Sequence, residues 1–202
     1  MINTLIFDFG DIFINLNKNA IDASFRNLGL SEWNSKLQKL NAAFEIGKIS
    51  ELEFLEGIQT QIPHASLEEI RTAWNSILGD FPLYRLEFLQ SLKGKYRLFL
   101  LSNTDKIHID KFEHQVGLTF SRDFYNGFEK VYFSFELGKR KPNPEIFAYL
   151  IQKHDLSPKR TLFIDDKEEN TNAAKALGLE VWNLQVGKED VIELSSKLRL
   201  TL

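Results

Sequence analysis

Five short apolar runs, at residues 5–9, 98–101, 131–133, 162–164 and 181–184, are separated for the most part by segments of helical length. Short continuous apolar runs belong to strands buried on both faces, and strands that alternate with helices build a parallel sheet covered on both sides. The expected class is therefore α/β, a Rossmann-like parallel sheet with helices on both faces. Residues 144–154 and 168–177 supply two of the covering helices, and Gly178 closes the second.

The interval between the first and second runs breaks this alternation. Residues 17–88 contain no strand-like run. Instead Ile21, Phe25 and Leu28 share one helical face, Trp33, Leu37, Leu40 and Phe44 a second, and Leu67, Ile70, Trp74 and Ile77 a third. Ser50 with Glu53 and Ser66 with Glu69 have the spacing of reciprocal helix caps. A helical cap of about four helices is expected over 17–88, inserted after the first strand, with 1–16 and 89–202 forming the core. Connections of that length usually carry function.

Composition narrows the chemistry. A chain of 202 residues, 43% hydrophobic, has enough apolar surface to fold as one or two domains. With no cysteine, it has no thiolate nucleophile, disulfide framework or cysteine-ligated metal. The formal charge is -3, and basic residues cluster only at Lys139, Arg140 and Lys141, a poor basis for coating nucleic acid. The first run contains Asp8 and lacks a basic flank and a cleavage site, so it reads as a strand and not a signal peptide. No stretch is long enough to span a bilayer. The expectation is a cytoplasmic protein whose partner is a small molecule, with neither nucleic acid nor membrane.

Three runs lead into polar groups: Asp8 in the first, Ser102 and Asn103 after the second, Asp165 and Asp166 after the fourth. Ligands of open parallel sheets bind at the carboxyl ends of the strands, so these groups could share one crevice. Each also has a plain alternative. Asp8 suits a turn, and Ser102 with Asn103 suits a helix cap. Asp165 and Asp166, continued by Glu168 and Glu169, suit either an amino-terminal helical turn or a hard-cation site. Lys141 is either a compact cation for an anion or part of a solvated basic loop.

Taken in order, FDFGD, LLSNT, GKRKP and FIDDKEEN resemble the motifs of the haloacid dehalogenase superfamily. The match runs from Asp8 to about Leu184 and includes a helical cap in the expected place. Within the superfamily the chain looks most like small sugar-phosphate phosphatases related to bacterial alpha-glucose-1-phosphatase, sharing the variant first motif, SNT, GKRKP and the phrase GKIS. The resemblance implies that Asp8 is a nucleophile carrying an aspartyl-phosphate. It further implies that Ser102, Asn103 and Lys141 bind phosphoryl oxygens, and that Mg2+ is held by Asp8, the Gly10 carbonyl and Asp166, with Asp165 adjacent. Most phosphatases of the superfamily have a second aspartate two residues after the nucleophile, where this chain has Gly10. Asp11, one place further on, reaches the site only if the chain leaves the extended conformation.

The expected function is magnesium-dependent hydrolysis of a small phosphorylated metabolite, a sugar phosphate and among these a sugar 1-phosphate, whose better leaving group needs less acid catalysis. Two alternatives stand beside it: a metal-independent 2-haloacid dehalogenase, and a binding or regulatory relative with little catalysis. Phe44, Glu45 and Lys48 are candidates for substrate selection, as are Asp105, Lys106 and His108. His108 reads as an ordinary helical surface residue.

Overall fold

The structure, a computed structural model, describes residues 1–200. Five strands form one parallel sheet: β1 (Thr4–Phe7), β2 (Arg97–Ser102), β3 (Lys130–Phe133), β4 (Thr161–Asp165) and β5 (Glu180–Asn183), in the spatial order β3-β2-β1-β4-β5. Helices α1 (Lys18–Asn27), α2 (Ser35–Phe44), α3 (Glu51–Gln59), α4 (Leu67–Asn75) and α5 (Leu83–Leu92) separate β1 from β2. α6 (Lys106–Val116) and α7 (Leu118–Tyr125) precede β3, and α8 (Ser134–Leu137) with α9 (Pro144–Lys153) precede β4. α10 (Glu168–Ala176) and α11 (Leu194–Leu200) flank β5.

Alternate residues of the central strands feed two cores. Leu5, Phe7, Leu98, Leu100, Leu162 and Ile164 pack with α5, α6, α7 and the start of α11. Ile6, Phe99, Leu101 and Phe163 pack on the other face with α9 and α10. This is the period of two that lets a strand bury both faces. On the first face the phenylalanines meet edge to face, as Phe13 does on Phe124 at 5.2 Å.

α1 to α4 have a core of their own, which includes Phe25, Leu37, Phe44, Phe54, Ile70 and Trp74 and takes one residue, Ile107, from α6. Both serine–glutamate capping boxes form, at the starts of α3 and α4. The insert differs from the expected span at its far end. Leu78, Phe81, Leu86 and Leu89 lie in the cluster beneath the sheet, because α5 presents its leucines to β1 and β2 and not to the other insert helices. Trp33 stands ahead of α2, whose first residue is Ser35.

The entry and exit of the insert run side by side. Asn15 N–H donates to the Asp80 carbonyl at 2.9 Å, Asn17 N–H to Ile77 at 2.7 Å, and Gly79 N–H to Asn15 at 2.8 Å. The approach is so close that a β-carbon on Gly79 would stand 2.8 Å from the Asn15 oxygen. A second close contact joins insert to core between α2 and α3. At Gly47, φ is +66° and a β-carbon would stand 2.3 Å from the Phe135 carbonyl oxygen.

Candidate active site

The register of β1 with its two neighbours decides what meets at its carboxyl end. Phe7 pairs with Leu100 and with Ile164, so the next residue, Asp8, comes level with Leu101 and Asp165. β1 stops at Phe7 because the chain turns at once: the Phe9 carbonyl accepts from Phe13 N–H at 2.9 Å and Ile14 N–H at 3.3 Å. Asp8 thus sits just past the strand, with its N–H donating to the Ile164 carbonyl at 2.9 Å. β2 runs on to Ser102, which is buried. The strand order reverses about β1, where open parallel sheets place their crevice.

Carboxylate oxygens of Asp8, Asp165 and Asp166 lie within 4.8 Å of one another. Lys141 enters from the loop between α8 and α9, far from the solvated fate usual for a basic run. Its side chain is 0% exposed, with Nζ 2.8 Å from Asp8 Oδ1 and 2.6 Å from Asp165 Oδ2. Asn103 fixes the Lys141 backbone from both sides, donating Nδ2 to its carbonyl at 2.8 Å and accepting its N–H on Oδ1 at 2.9 Å. The amide expected on phosphoryl oxygens is therefore committed to positioning the lysine. Ser134 braces the neighbouring turn: Thr104 N–H donates to Ser134 Oγ, and Oγ donates to the Thr104 carbonyl, both at 3.0 Å.

The two adjacent aspartates have different surroundings. Asp165 is saturated, accepting from Lys141, from Lys167 N–H at 2.8 Å, and from Asn170 Nδ2 at 3.0 Å on each oxygen. The Asp166 carboxylate has the Lys18 ammonium, 3.7 Å away, as its ion-pair partner. Asn183 Nδ2 holds the Asp166 main chain, donating to its carbonyl at 2.9 Å.

Asp11 has φ of +57°, so the chain does leave the extended conformation after Gly10, which bridges to Ile14. Both Asp11 oxygens are nonetheless engaged: Oδ1 accepts from Leu16 N–H at 2.9 Å, and Oδ2 lies 3.0 Å from Lys18 Nζ. Expected as an acid–base group, Asp11 instead holds Lys18 at the first turn of α1.

Four carboxylates against two ammonium groups leave this buried crevice short of positive charge. Burial pushes the Asp8 carboxyl up to about 7 against the downward pull of Lys141, with Asp165 adding repulsion. Burial and the neighbouring Asp165 also raise Asp166. Burial disfavours the Lys141 ammonium, but Asp165 and Asp8 outweigh it and hold the lysine charged. Hard oxygen donors in a net-negative pocket fit a small divalent cation. The oxygens of Asp8 and Asp166 would ligate it, with Asp165 behind them.

Of the expected selection residues, Phe44 belongs to the insert core, stacked on Phe54 at 4.2 Å, and Lys48 is exposed. Glu45 alone of the three meets a residue next to the site, with Oε2 3.0 Å from Nη1 of Arg140, which precedes Lys141. Lys106 turns outward to Asp110, at 2.6 Å. His108 is no surface residue. Its Nδ1 lies 3.0 Å from Asp105 Oδ2, its Nε2 is 3.1 Å from the Trp74 carbonyl, and its ring stacks on the Trp74 indole at 4.9 Å. Trp74 Nε1 donates to the same Asp105 oxygen at 3.0 Å. Sequence reasoning missed the supports: Lys18, Arg140, Ser134, Asn170 and Asn183. The local traces of them were Asn170, which directly follows the acidic cluster, and Arg140 within the basic one.

The family model for haloacid dehalogenase-like hydrolases matches residues 2–178. The chain belongs to this family. It is 28% identical to D-ribitol-5-phosphate phosphatase of Bacteroides thetaiotaomicron over 94% of this chain and 95% of that protein. The crystal structure of the family enzyme bt-2542 from the same organism, in complex with magnesium and inorganic phosphate, superposes with a TM-score of 0.82. It is 34% identical, and the alignment covers 94% of this chain and 97% of the other. A HAD-like family hydrolase of Porphyromonas gingivalis superposes with a TM-score of 0.84 at 29% identity, covering 100% and 98%. Among the described residues no helix is long and apolar enough to cross a membrane.

Proposed function

We propose that this hydrolase is a magnesium-dependent phosphatase of a small phosphorylated metabolite, a sugar phosphate and among these a sugar 1-phosphate. The observation that carries the reading is the pairing of Asp8 with the buried Lys141, beside an Asp166 carboxylate held by no closer charge than Lys18. The relative that acts on ribitol phosphate and the neighbour holding magnesium and phosphate support it.

In this reading an Asp8 oxygen forms a bond to phosphorus as the ester P–O bond breaks, and the bonding pair leaves on the alkoxide oxygen, which takes its proton from water. Water then attacks the aspartyl-phosphate, releasing phosphate and restoring the carboxylate. Lys141 draws the anionic ester toward an anionic nucleophile, and Ser102 lies at the strand end beside it. Asp8, the Gly10 carbonyl and Asp166 would hold magnesium, which would supply the positive charge that a transferring phosphoryl group needs. Gly10 contributes no proton, and Asp11 is tied to Leu16 and Lys18, so esters with good leaving groups are favoured.

The test is phosphate release across sugar 1-phosphates, alkyl phosphates and nucleotides, with and without magnesium and with Asp8→Asn as the blank. Magnesium-dependent release that vanishes in Asp8→Asn, and is faster for sugar 1-phosphates than for alkyl phosphates, is the expected outcome. Halide release from a 2-haloacid without metal would overturn it in favour of dehalogenation.

A further inference from the structure

Among the described residues four buried side-chain atoms lack a hydrogen-bond partner, and three of them, Asn41 Oδ1, Glu45 Oε2 and Arg140 Nε, belong to one chain of contacts. Asn41 Nδ2 reaches Glu45 Oε1 at 3.4 Å, and Glu45 Oε2 lies 3.0 Å from Arg140 Nη1 as an ion pair without hydrogen-bond alignment. Unpartnered buried polar atoms are costly and rare in a native fold, so a cluster of them calls for a ligand.

The cluster adjoins the residues of the proposed site. Arg140 precedes Lys141 in the chain. Glu45 also feels Lys167, the residue after Asp166, and Asp105 at the end of the β2 loop. Asn41 continues the line away from the phosphoryl site into a cavity of about 420 Å3, walled also by Ile21, Trp33, Trp74 and Ile77. Ile21 is one helical turn beyond Lys18, whose ammonium stands at Asp11 and Asp166, and Phe25 and Arg26 continue the cavity wall along α1. The volume is within the range of small-molecule sites.

The atoms also state what they want. Two are acceptors and one is a donor. A hydroxyl both donates and accepts, whereas an ammonium only donates. We propose that Asn41, Glu45 and Arg140 form a specificity subsite that reads neighbouring hydroxyl groups of a polyhydroxylated leaving group, whose far end occupies the cavity against Trp33 and Ile77.

This inference rests on the phosphatase reading. The test compares kcat/KM for a pentitol phosphate with kcat/KM for n-pentyl phosphate, an alkyl ester of the same length with no hydroxyl to read, and for phosphoethanolamine, which has an ammonium. Wild-type enzyme should prefer the pentitol ester. Asn41→Leu, Glu45→Leu and Arg140→Met should each lower the pentitol to pentyl ratio by ~tenfold or more, the worth of about one buried hydrogen bond. Glu45→Gln, which keeps an acceptor oxygen, should lose less than Glu45→Leu. A ratio unchanged in the variants, both substrates falling together as a merely structural role would give, or a wild-type preference for phosphoethanolamine overturns the subsite and leaves the phosphatase standing. Wild-type enzyme that releases phosphate from none of the esters overturns both.

Discussion

Lys141 lies buried between two carboxylates, at 2.8 Å from Asp8 and 2.6 Å from Asp165. Removing one partner of a buried ion pair leaves an uncompensated charge and costs about 3–5 kcal/mol. Lys141→Met should therefore both abolish phosphate release and lower the free energy of unfolding by about that amount, measured by urea denaturation. Lys141→Met combined with Asp165→Asn should recover part of the stability and none of the activity. At this scale the acids were legible: a charge inside an apolar run, or a pair at the end of one, needs a reason. The burial of Lys141 was not, because its environment is assembled from β1, β4 and the Asn103 clamp, all distant in sequence.

At the scale of elements, α4 and α6 are joined by the Asp105, His108 and Trp74 contacts, which tie the insert to the loop after β2. Burial disfavours a charged His108, but the Asp105 carboxylate outweighs it and raises the imidazole pKa. Burial likewise opposes the Asp105 charge, and His108 and the hydrogen bonds around it hold its carboxyl below the usual range. A raised histidine stabilises the fold below the unfolded imidazole value of about 6.5 and loses that contribution as pH rises through its folded value. A lowered aspartate stabilises above its unfolded value and loses that contribution as pH falls through its folded one. Thermal melts should show wild-type Tm declining from pH 6.5 upward, on the scale of one pKa unit per ~1.4 kcal/mol. The decline should be shallower in His108→Gln, where the raised Asp8 carboxyl, at about 7, still contributes to it. A Tm slope identical in both proteins would show that the pair carries no linkage. The helices themselves were legible in their faces and caps, since a capping box and an apolar stripe are local. The meeting of His108 with Trp74 was not, as 34 residues separate them.

For the molecule as a whole, the seam at Gly47 fixes how the insert sits on the core. Any β-carbon there would press into the Phe135 carbonyl from a backbone with φ of +66°. Gly47→Val should displace α2 and with it Glu45 and Asn41. The expected result is a rise in KM for the preferred ester of ~tenfold or more, the loss of about one hydrogen bond's worth of positioning, while far-UV circular dichroism is unchanged. A KM equal to wild type would show that the seam does not set the distance between insert and site. The expected boundary of the insert cuts through α5, whose apolar residues are spread around the helix and mark no face in the sequence. Only the packing of Leu86 and Leu89 beneath β1 and β2 assigns it to the sheet.

Strand and helix type, the inserted helices and the motif carboxylates followed from the linear order of residues, because periodicity, capping and a charge in an apolar run are interactions within a few positions. The motif resemblance reached the family by the same route. Which groups remain free for chemistry was decided by the tertiary structure. It committed Asn103 to the Lys141 backbone, Asp11 to Lys18 and Phe44 to the insert core, and it left Asn41, Glu45 and Arg140 with unpartnered atoms. A side chain's hydrogen-bonding capacity is filled by neighbours brought together through folding, and no reading of adjacent residues records which neighbours those are.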